Sequence, residues 1–358
     1  MGKIRLAIAG VGNCASSLIQ GLEYYKDVTE KDDLVPGLMH NVFGDYKISD
    51  IEPVAAFDVD NRKIGLKLEE AIFAGENCTK KFSEGLRTDV VVQRAPVLDG
   101  IGKKLSEVIP VDKNAPTVDV AQVLEDTKAD MLVSYMPVGS EKAARYYAEE
   151  CLKSGTAFVN GMPEFICSDE GWAKRFEEAG IPCAGDDIKS QVGATILHRV
   201  LSRLFLDRGA EIVESYQLNI GGNTDFYNML EEERLKSKRI SKTQAVQSLV
   251  PYKVPLRIGP SDYVPFLKDN KVCYIKMTGK KFGDIPFELD LKLSVEDSPN
   301  SAGVMIDAIR ATKIALDRNI SGQLISISSY SFKHPPQQFP DDVCKRMVEE
   351  FIKGERER

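Results

Sequence analysis

The sequence lacks the features that would place it in several specialised classes of protein. No apolar run approaches the roughly 18 residues of a membrane helix, and the apolar stretch at the N-terminus is too short for a signal peptide. The net charge of −7 argues against a general nucleic-acid binder, which usually carries a basic excess. We therefore expect neither a membrane nor a nucleic acid as a partner.

Cysteine and histidine are too scattered to form a disulfide framework or a zinc site. The seven cysteines are odd in number and form no Cys-x-x-Cys pair, which favours buried thiols in a reducing cytoplasm. The three histidines, His40, His198 and His334, share no metal-ligand spacing. The sequence thus supports neither a zinc hydrolase nor a cysteine nucleophile.

Strand and helix signals alternate through the first half of the 358 residues. Short apolar runs predict strands at residues 3–9, 54–57, 89–93, 131–135 and 157–159, and helical patterns cover 13–25, 62–73 and 141–153. The polar, turn-rich residues 26–50 are typical of an inserted loop. This alternation predicts an α/β fold with a doubly wound parallel sheet.

The pattern changes after residue 192. Residues 211–219 predict a strand, and the alternation of apolar and polar residues over 287–295 predicts another with one solvated face, as in antiparallel sheets. Helical periodicity returns over 301–317. We therefore predict a Rossmann-type sheet over 1–192, an α+β insertion over 193–297, and a segment over 298–358 that returns to the first domain.

A glycine turn follows the first predicted strand and opens the first helix. Its Gly-x-Gly-x-x-Ala pattern matches the dinucleotide-binding fingerprint, in which the glycines permit a tight turn and close approach to the pyrophosphate. The small residue at the end keeps the helix close to the strand. The predicted cofactor-binding residues of this turn are Gly10, Gly12, Asn13, Cys14 and Ala15.

Asp58 strengthens the cofactor prediction because it ends the second predicted strand. A carboxylate there can bind the ribose hydroxyls of NAD and repel the 2′-phosphate of NADP. It lies much farther from Gly12 than the usual distance of about 20 residues, and the inserted loop accounts for this. Arg62 nearby leaves NADP as an alternative.

Several long strings of the sequence resemble the myo-inositol-1-phosphate synthases, in their short bacterial and archaeal form. The resemblance covers nearly the whole chain, and it is carried by residues 9–18, 134–141, 158–163, 185–195, 240–246 and 297–303. It implies a conversion of D-glucose 6-phosphate to 1L-myo-inositol 1-phosphate with recycled NAD⁺. C5 is oxidised, C6 is deprotonated and attacks C1, and the ketone is reduced again.

The resemblance also implies a homotetramer formed through the sheet of the inserted domain, which carries the catalytic residues. Some members depend on a divalent or monovalent cation, but the sequence assigns no metal ligands.

Lysines suit this chemistry because a positive charge stabilises an enolate oxygen and because burial moves the lysine pKa toward a useful range. Lys238 and Lys242 are four residues apart and would share a helix face. By resemblance both belong to the active site, as does Lys333. Lys271 is the predicted fourth lysine, with Lys276 and Lys280 as alternatives, because residues 283–286 lack the lysine that long members carry there.

The remaining site predictions concern polar residues near these motifs. By resemblance, Asp187 and Asp297 lie near the lysines or the nicotinamide. An apparent helix start suggests a phosphate site at Lys189, Ser190 and Gln191. Asn223 and Asp225 would bind sugar hydroxyls or phosphate, unless they form only a turn with a helix cap at Asp225. Further cofactor candidates, at strand ends, are Ser134, Pro137 and Asn160.

Two alternatives remain at this stage. An ordinary NAD(P)-linked dehydrogenase would share the glycine turn but would consume its cofactor stoichiometrically. A catalytically inactive NAD-sensing or scaffold protein would keep the turn and lose the lysines. The long matched strings argue against the first, and the retained lysines argue against the second.

Overall fold

Two β-sheets organise the protein, whose computed structural model describes residues 2–358. The strands, numbered along the chain, are β1 (Ile4–Ala9), β2 (Ile51–Asp58), β3 (Val92–Arg94), β4 (Met131–Ser134), β5 (Ala157–Asn160), β6 (Pro182–Ala184), β7 (Glu211–Gly221), β8 (Leu256–Tyr263), β9 (Asn270–Lys280), β10 (Pro286–Glu296) and β11 (Gly322–Gln323).

Helices connect these strands and cover the larger sheet. They are α1 (Asn13–Tyr24), α2 (Leu68–Ala71), α3 (Lys103–Ser106), α4 (Val120–Asp126), α5 (Glu141–Ser154), α6 (Glu170–Glu178), α7 (Ala194–Asp207), α8 (Thr224–Asn228), α9 (Lys236–Gln247), α10 (Asp297–Asp317), α11 (Ile325–Ser331) and α12 (Asp341–Lys353). None of the helices formed by residues 2–358 is long and apolar enough to cross a bilayer.

The larger sheet has seven parallel strands in the spatial order β11-β6-β5-β4-β1-β2-β3. Side chains of β1 alternate between its two faces: Ile4, Leu6 and Ile8 join a core that includes α1 and α10. Ala7 and Ala9 join a second core with α4 and α5. Both faces are therefore covered by helices, as parallel sheets require, and the predicted doubly wound fold is confirmed.

The smaller sheet has four strands in the order β10-β9-β7-β8. Strand β9 pairs antiparallel with β10 and β7, whereas β7 and β8 run parallel. The strand predicted over 287–295 is β10, and its antiparallel pairing with β9 confirms that expectation. The parallel pair β7–β8 makes the sheet mixed, because helices α8 and α9 carry the chain back between these two strands. One face of the sheet packs against α7, where Phe205 contacts Phe287.

The predicted helix over residues 62–73 is wrong in most of its length, because only α2 is helical there. Asp60 accepts hydrogen bonds from the backbone N–H and the guanidinium of Arg62, which favours a turn. Gly65 then adopts a φ of 83°, which a right-handed helix does not allow.

Candidate active site

A cavity lies where the carboxyl ends of β1, β2 and β4 face the four-stranded sheet, and both parts of the fold line it. From the larger sheet come Gly10, Gly12, Asn13, Cys14, Asp58 and Pro137. The smaller sheet and the segments around it contribute polar and charged side chains: Gln217, Asn219, Asn223, Asp225, Lys238, Lys242, Lys271 and Asp297, with Asp187 and Lys333 beside them.

The glycine turn leaves room on its cavity side. A Cβ atom added at Gly10, where φ is 91°, would lie 2.7 Å from the backbone oxygen of Tyr135, so only glycine fits. A Cβ atom added at Gly12 would meet no atom within 4 Å, because that position opens to the cavity. Helix α1 begins directly after Gly12. The turn therefore combines an open approach with a helix N-terminus, the features that bind a pyrophosphate.

The Asp58 carboxylate accepts hydrogen bonds from the glycine turn and from the two residues that follow β2. Its Oδ2 accepts a hydrogen bond from the Val11 N–H at 2.7 Å, and its Oδ1 accepts from Val59 and Asp60 at 2.7 and 2.9 Å. Arg62 instead pairs with Asp60 at 2.8 Å and with Glu76 at 2.8 Å. Arg62, the arginine that left NADP as an alternative, is therefore already engaged by two carboxylates.

Lys63 lines the same end of the cavity, although no sequence motif pointed to it. Its side chain is buried, and its Nζ donates to the Val11 carbonyl at 2.8 Å and to Asn77 Oδ1 at 3.0 Å. Among residues 2–358, no carboxylate oxygen lies within 4 Å of this ammonium group. A buried cation without a counter-ion is costly, so this position favours an anionic ligand.

At the other end, three buried or half-buried lysines each pair with a carboxylate. Lys238 donates to Asp225 at 2.7 Å, Lys333 donates to Asp187 at 2.8 Å, and Lys271 pairs with Asp297. Burial alone would lower the pKa of Lys238, but Asp225 and Asp187 together raise it above the usual lysine value. The pairing therefore keeps Lys238 cationic.

Lys242 is different because, within the described chain, no carboxylate lies within ion-pair distance of its ammonium group. Burial, followed by repulsion from Lys238, Lys271 and Lys333, lowers its pKa to about 7. Lys242 lies one turn after Lys238 on α9. A lysine with this pKa can both accept and donate a proton near neutral pH.

Asp187 joins two distant parts of the chain at the lysine cluster. Its Oδ1 accepts from Lys333, and its Oδ2 accepts at 2.5 Å from the hydroxyl of Ser241, which precedes Lys242 on α9. Burial would raise the pKa of Asp187, but Lys333 and Lys238 hold it below the usual value. The pKa of Asp297 is likewise lowered, by Lys271 against the effect of burial. Both carboxylates therefore stay charged.

Asn223, rather than Asp225, is the N-cap of α8, since its Oδ1 accepts from the N–H groups of Asp225 and Phe226. The alternative of a helix cap at Asp225 is therefore wrong, and the Asp225 carboxylate is instead engaged by Lys238. Asn223 Nδ2 also donates to Asp269 at 2.9 Å. Burial raises the pKa of Asp269 to about 6.

Comparison with known proteins decides the family. The sequence profile described as myo-inositol-1-phosphate synthase matches residues 193–298. The inositol-3-phosphate synthase of Mycolicibacterium smegmatis is 55% identical over 99% of this chain and 99% of its own. The chain belongs to the myo-inositol-1-phosphate synthase family. The resemblance predicted from the sequence is thereby confirmed.

Two further comparisons, one with a sequence and one with a solved structure, also cover nearly the whole chain. The inositol-3-phosphate synthase of Corynebacterium glutamicum is 55% identical over 98% of both chains. Among solved structures, the crystal structure of Ari2 is 32% identical, with a TM-score of 0.79 over 98% of this chain and 99% of that one.

Within this synthase fold, the structure brings only part of the predicted phosphate site to the cavity. Ser190 lines it, as do Ala194 and Thr195 in the first turn of α7. The helix begins at Ala194 with Gly193 as its cap, several residues later than predicted. Lys189 instead buries its ammonium group against the carbonyls of Ser329 and Tyr330 at 2.7 and 3.2 Å.

Gln191 and three of the cofactor candidates also lie outside the cavity lining. Gln191 Nε2 donates to the Gly37 carbonyl at 2.9 Å. Asn160 Nδ2 donates to Asp186 at 2.7 Å, while Ser134 and Ala15 are fully buried in the protein behind the cavity. Gln191, Asn160 and Ser134 therefore have no direct contact with the cavity that would support their predicted roles. The burial of Ala15 fits its predicted role, which was to keep α1 close to β1.

The alternatives for the fourth lysine are separated by position. Lys276 pairs with Glu288 at 2.9 Å on the outer face of the small sheet, and Lys280 is exposed near the end of β9. Only Lys271 of the three lines the cavity. Residues 2–358 contain no group of three or more His, Cys, Asp and Glu side chains arranged to hold a metal ion, so no ligands are assigned to the predicted cation.

Proposed function

We propose that the protein converts D-glucose 6-phosphate to 1L-myo-inositol 1-phosphate with bound NAD⁺ and no net redox change. One observation carries the proposal: a lysine with a pKa of about 7, Lys242, lies among paired lysines in the cavity that also contains the glycine turn. The relatives at 55% identity are named inositol-3-phosphate synthase.

The residues at the glycine turn fit a dinucleotide. Gly12 and the start of α1 leave space for a pyrophosphate, Asp58 can still accept from ribose hydroxyls, and the unneutralised Lys63 favours the phosphate charge. When bound, NAD⁺ supplies an acceptor for the hydride of C5 and returns that hydride later in the reaction. Asn13, Cys14 and Pro137 would line the same site.

The lysines divide the remaining work according to their partners. Lys238, Lys271 and Lys333 have carboxylate partners, so they supply fixed positive charge to the ketone and enolate oxygens. Such charge stabilises the transition state more than the ground state. Lys242 can take the C6 proton and return a proton to the new hydroxyl, since its pKa lies near neutrality.

The sugar phosphate requires its own site, for which we infer Ser190 and the first turn of α7. The N-terminal N–H groups of a helix bind phosphate well, and Ala194 and Thr195 line the cavity. Asn223 and Asp225 remain candidates for the sugar hydroxyls. Lys189 and Gln191 stay predictions for this site. Burial lowers the pKa of Lys189 to about 8, but its ammonium group donates to the carbonyls of Ser329 and Tyr330.

The decisive experiment is to incubate the pure protein with glucose 6-phosphate and NAD⁺ and to identify the phosphorylated product by NMR. We expect inositol phosphate, with no sustained rise of absorbance at 340 nm. A rise proportional to the substrate consumed would contradict the proposal and favour the ordinary dehydrogenase. No product at all, with NAD⁺ still bound, would favour the sensing or scaffold protein.

The assembly and the setting of the enzyme belong to the same proposal. Tyr216, Leu218 and Tyr274 expose 38–40% of their surface on the outer face of the small sheet, and an apolar patch of this kind supports a homotetramer formed through that sheet. Sedimentation of wild type and Leu218→Asp tests this, because the variant should dissociate.

The domain boundaries at 192 and 297, the cytoplasmic setting and the loosely held cation stay predictions.

A further inference from the structure

The segment that carries the catalytic lysines is fastened to loops on the cofactor side of the cavity. This lysine segment, residues 224–247, contains α8, a 3₁₀ turn (Glu232–Leu235) and α9. Opposite it lie the cleft loops, residues 96–102 and 137–140. Both line the cavity: Gly100 and Pro137 from the loops, and Lys238 and Lys242 from the segment.

Arg234 makes the most extensive of these contacts. Its Nε donates to the Val138 carbonyl at 2.9 Å, its Nη1 to the Asp99 carbonyl at 2.9 Å, and its Nη2 to the Gly100 carbonyl at 3.1 Å. One guanidinium group therefore holds both cleft loops at once. The planar fork of donors suits this geometry, whereas a lysine could satisfy only part of it.

Close packing also holds the lysine segment against the cleft loops. A Cβ atom at Gly139 would lie 2.6 Å from the Cβ atom of Arg234, and one at Gly102 would lie 2.6 Å from a carboxylate oxygen of Glu231. Glu231 also accepts from the Lys104 N–H at 2.6 Å, and Asn228 donates to the Val138 carbonyl at 2.9 Å. The segment thus touches the loop backbone directly at two glycines.

The position of these contacts gives them a consequence for the cofactor. Arg234 binds carbonyls of the same loops whose Gly100 and Pro137 line the cavity. Moving the lysine segment away would open the cavity on that side and would displace Lys238 and Lys242, which follow Arg234 along the chain. Retention of a dinucleotide in this cavity and placement of the lysines would therefore depend on the same contacts.

We propose that Arg234 is a positioning residue that keeps the lysine segment closed over the cleft loops and thereby slows release of the dinucleotide. The inference rests on the proposed function, because it requires the dinucleotide in this cavity. A recycled cofactor has to stay bound through a complete turnover, and three hydrogen bonds from one guanidinium provide a fastening that acts without touching the substrate.

The test measures release of NADH from the protein without substrate, by stopped-flow fluorescence after addition of excess NAD⁺. Arg234→Ala should speed release by at least about tenfold, the effect of losing one charge-assisted hydrogen bond. Arg234→Lys should lie between it and wild type. Arg239→Ala, which removes an exposed arginine of α9 with only a 4.0 Å contact to Glu232, should match wild type and serves as the control.

The outcomes separate this inference from the proposed function. A folded Arg234→Ala protein that releases NADH at the wild-type rate would overturn the inference alone, and a wild-type protein that binds no NADH would overturn both. If Arg234→Ala does not fold, Glu231→Ala removes one contact of the same fastening and should still speed release several-fold; an unchanged rate there would also overturn the inference. Since turnover is not the readout, a displaced catalytic lysine cannot imitate the result.

Discussion

The two ends of the cavity differ in the number of charged side chains that they bring together and in how these are paired. At the glycine turn, Asp58 is satisfied by three backbone N–H groups, and glycines provide space. At the lysine end, four lysines face three carboxylates, Asp187, Asp225 and Asp297, so that Lys242 remains without a partner. The first end is organised by shape and hydrogen bonds around a single lysine without a carboxylate partner, Lys63. The second end concentrates four lysines, whose charge a reacting substrate can use.

The difference explains why the lysine end needs so much support from elsewhere. Buried like charges cost free energy unless each is paired. Asp187 reaches Lys333 and Ser241 from a position far from both in sequence. Lys242, which is reactive but costs stability, therefore lies among three lysine–carboxylate pairs that fix the positions of the groups around it.

Replacing Lys242 should have the largest effect, because it removes the lysine without a carboxylate partner at the lysine end. Lys242→Ala should reduce turnover by about a hundredfold or more, as loss of a general acid–base group does, while NAD⁺ affinity and fold remain nearly unchanged. Lys242→Arg should rescue poorly, because a guanidinium group does not exchange protons near neutrality. Steady-state kinetics with Lys236→Ala, an exposed lysine of the same helix, gives the matched control. A folded variant that keeps more than about a tenth of turnover would place the chemistry elsewhere.

Asp58 tests the opposite end. Asp58→Ala should weaken NAD⁺ binding by about 1.5–3 kcal/mol, the value for hydrogen bonds to a charged group, with substrate affinity nearly unaffected. Part of this loss would come from the Val11 N–H, which Asp58 now holds. Asp58→Asn keeps an acceptor oxygen for that N–H and should lose less. Isothermal titration that finds unchanged NAD⁺ affinity in the Ala variant would remove Asp58 from the cofactor site.

The smallest expected effect is on stability, and it sharpens the contrast between paired and unpaired lysines. The pKa of Lys242 is about 7 in the folded protein and about 10.4 in the unfolded chain. Between these values the unfolded state binds more protons, so wild-type stability should rise with pH relative to Lys242→Met. The gain should be about 2 kcal/mol from pH 7 to pH 9.

Urea denaturation of both proteins at the two pH values measures this difference. Lys236→Met, at an exposed lysine of the same helix, is the matched control. A difference between wild type and Lys242→Met that stays constant with pH would mean that Lys242 keeps an ordinary pKa in the folded protein.

Sequence reasoning reached the fold and the lysines because both have local patterns or long family strings. The parallel sheet follows from alternating strands and helices, and Lys238 and Lys242 lie in one helix. It could not find Lys63, whose counter-ion-free position appears only when Val11 and Asn77 come together in space.

Lys189 was predicted for the phosphate site because its neighbours in the sequence suggested one. It stands between two cavity-lining residues, Ile188 and Ser190, yet its side chain points into the carbonyls of α11. In an extended segment adjacent side chains point to opposite sides, so a sequence string alone does not tell which of its members reach a site. The pairing of Asp187 with Lys333 is equally non-local, since it depends on the bridge between Ile188 and Phe332.

In the proposed reaction, the hydride leaves C5 and returns to the same molecule inside a closed cavity. Glucose 6-phosphate labelled with deuterium at C5 tests it directly, with product analysis by NMR and mass spectrometry. We predict that inositol phosphate retains the deuterium at the carbon that was C5, in the presence of a large pool of unlabelled NADH. Loss of the label from the product, with deuterium appearing in free NADH, would contradict the account.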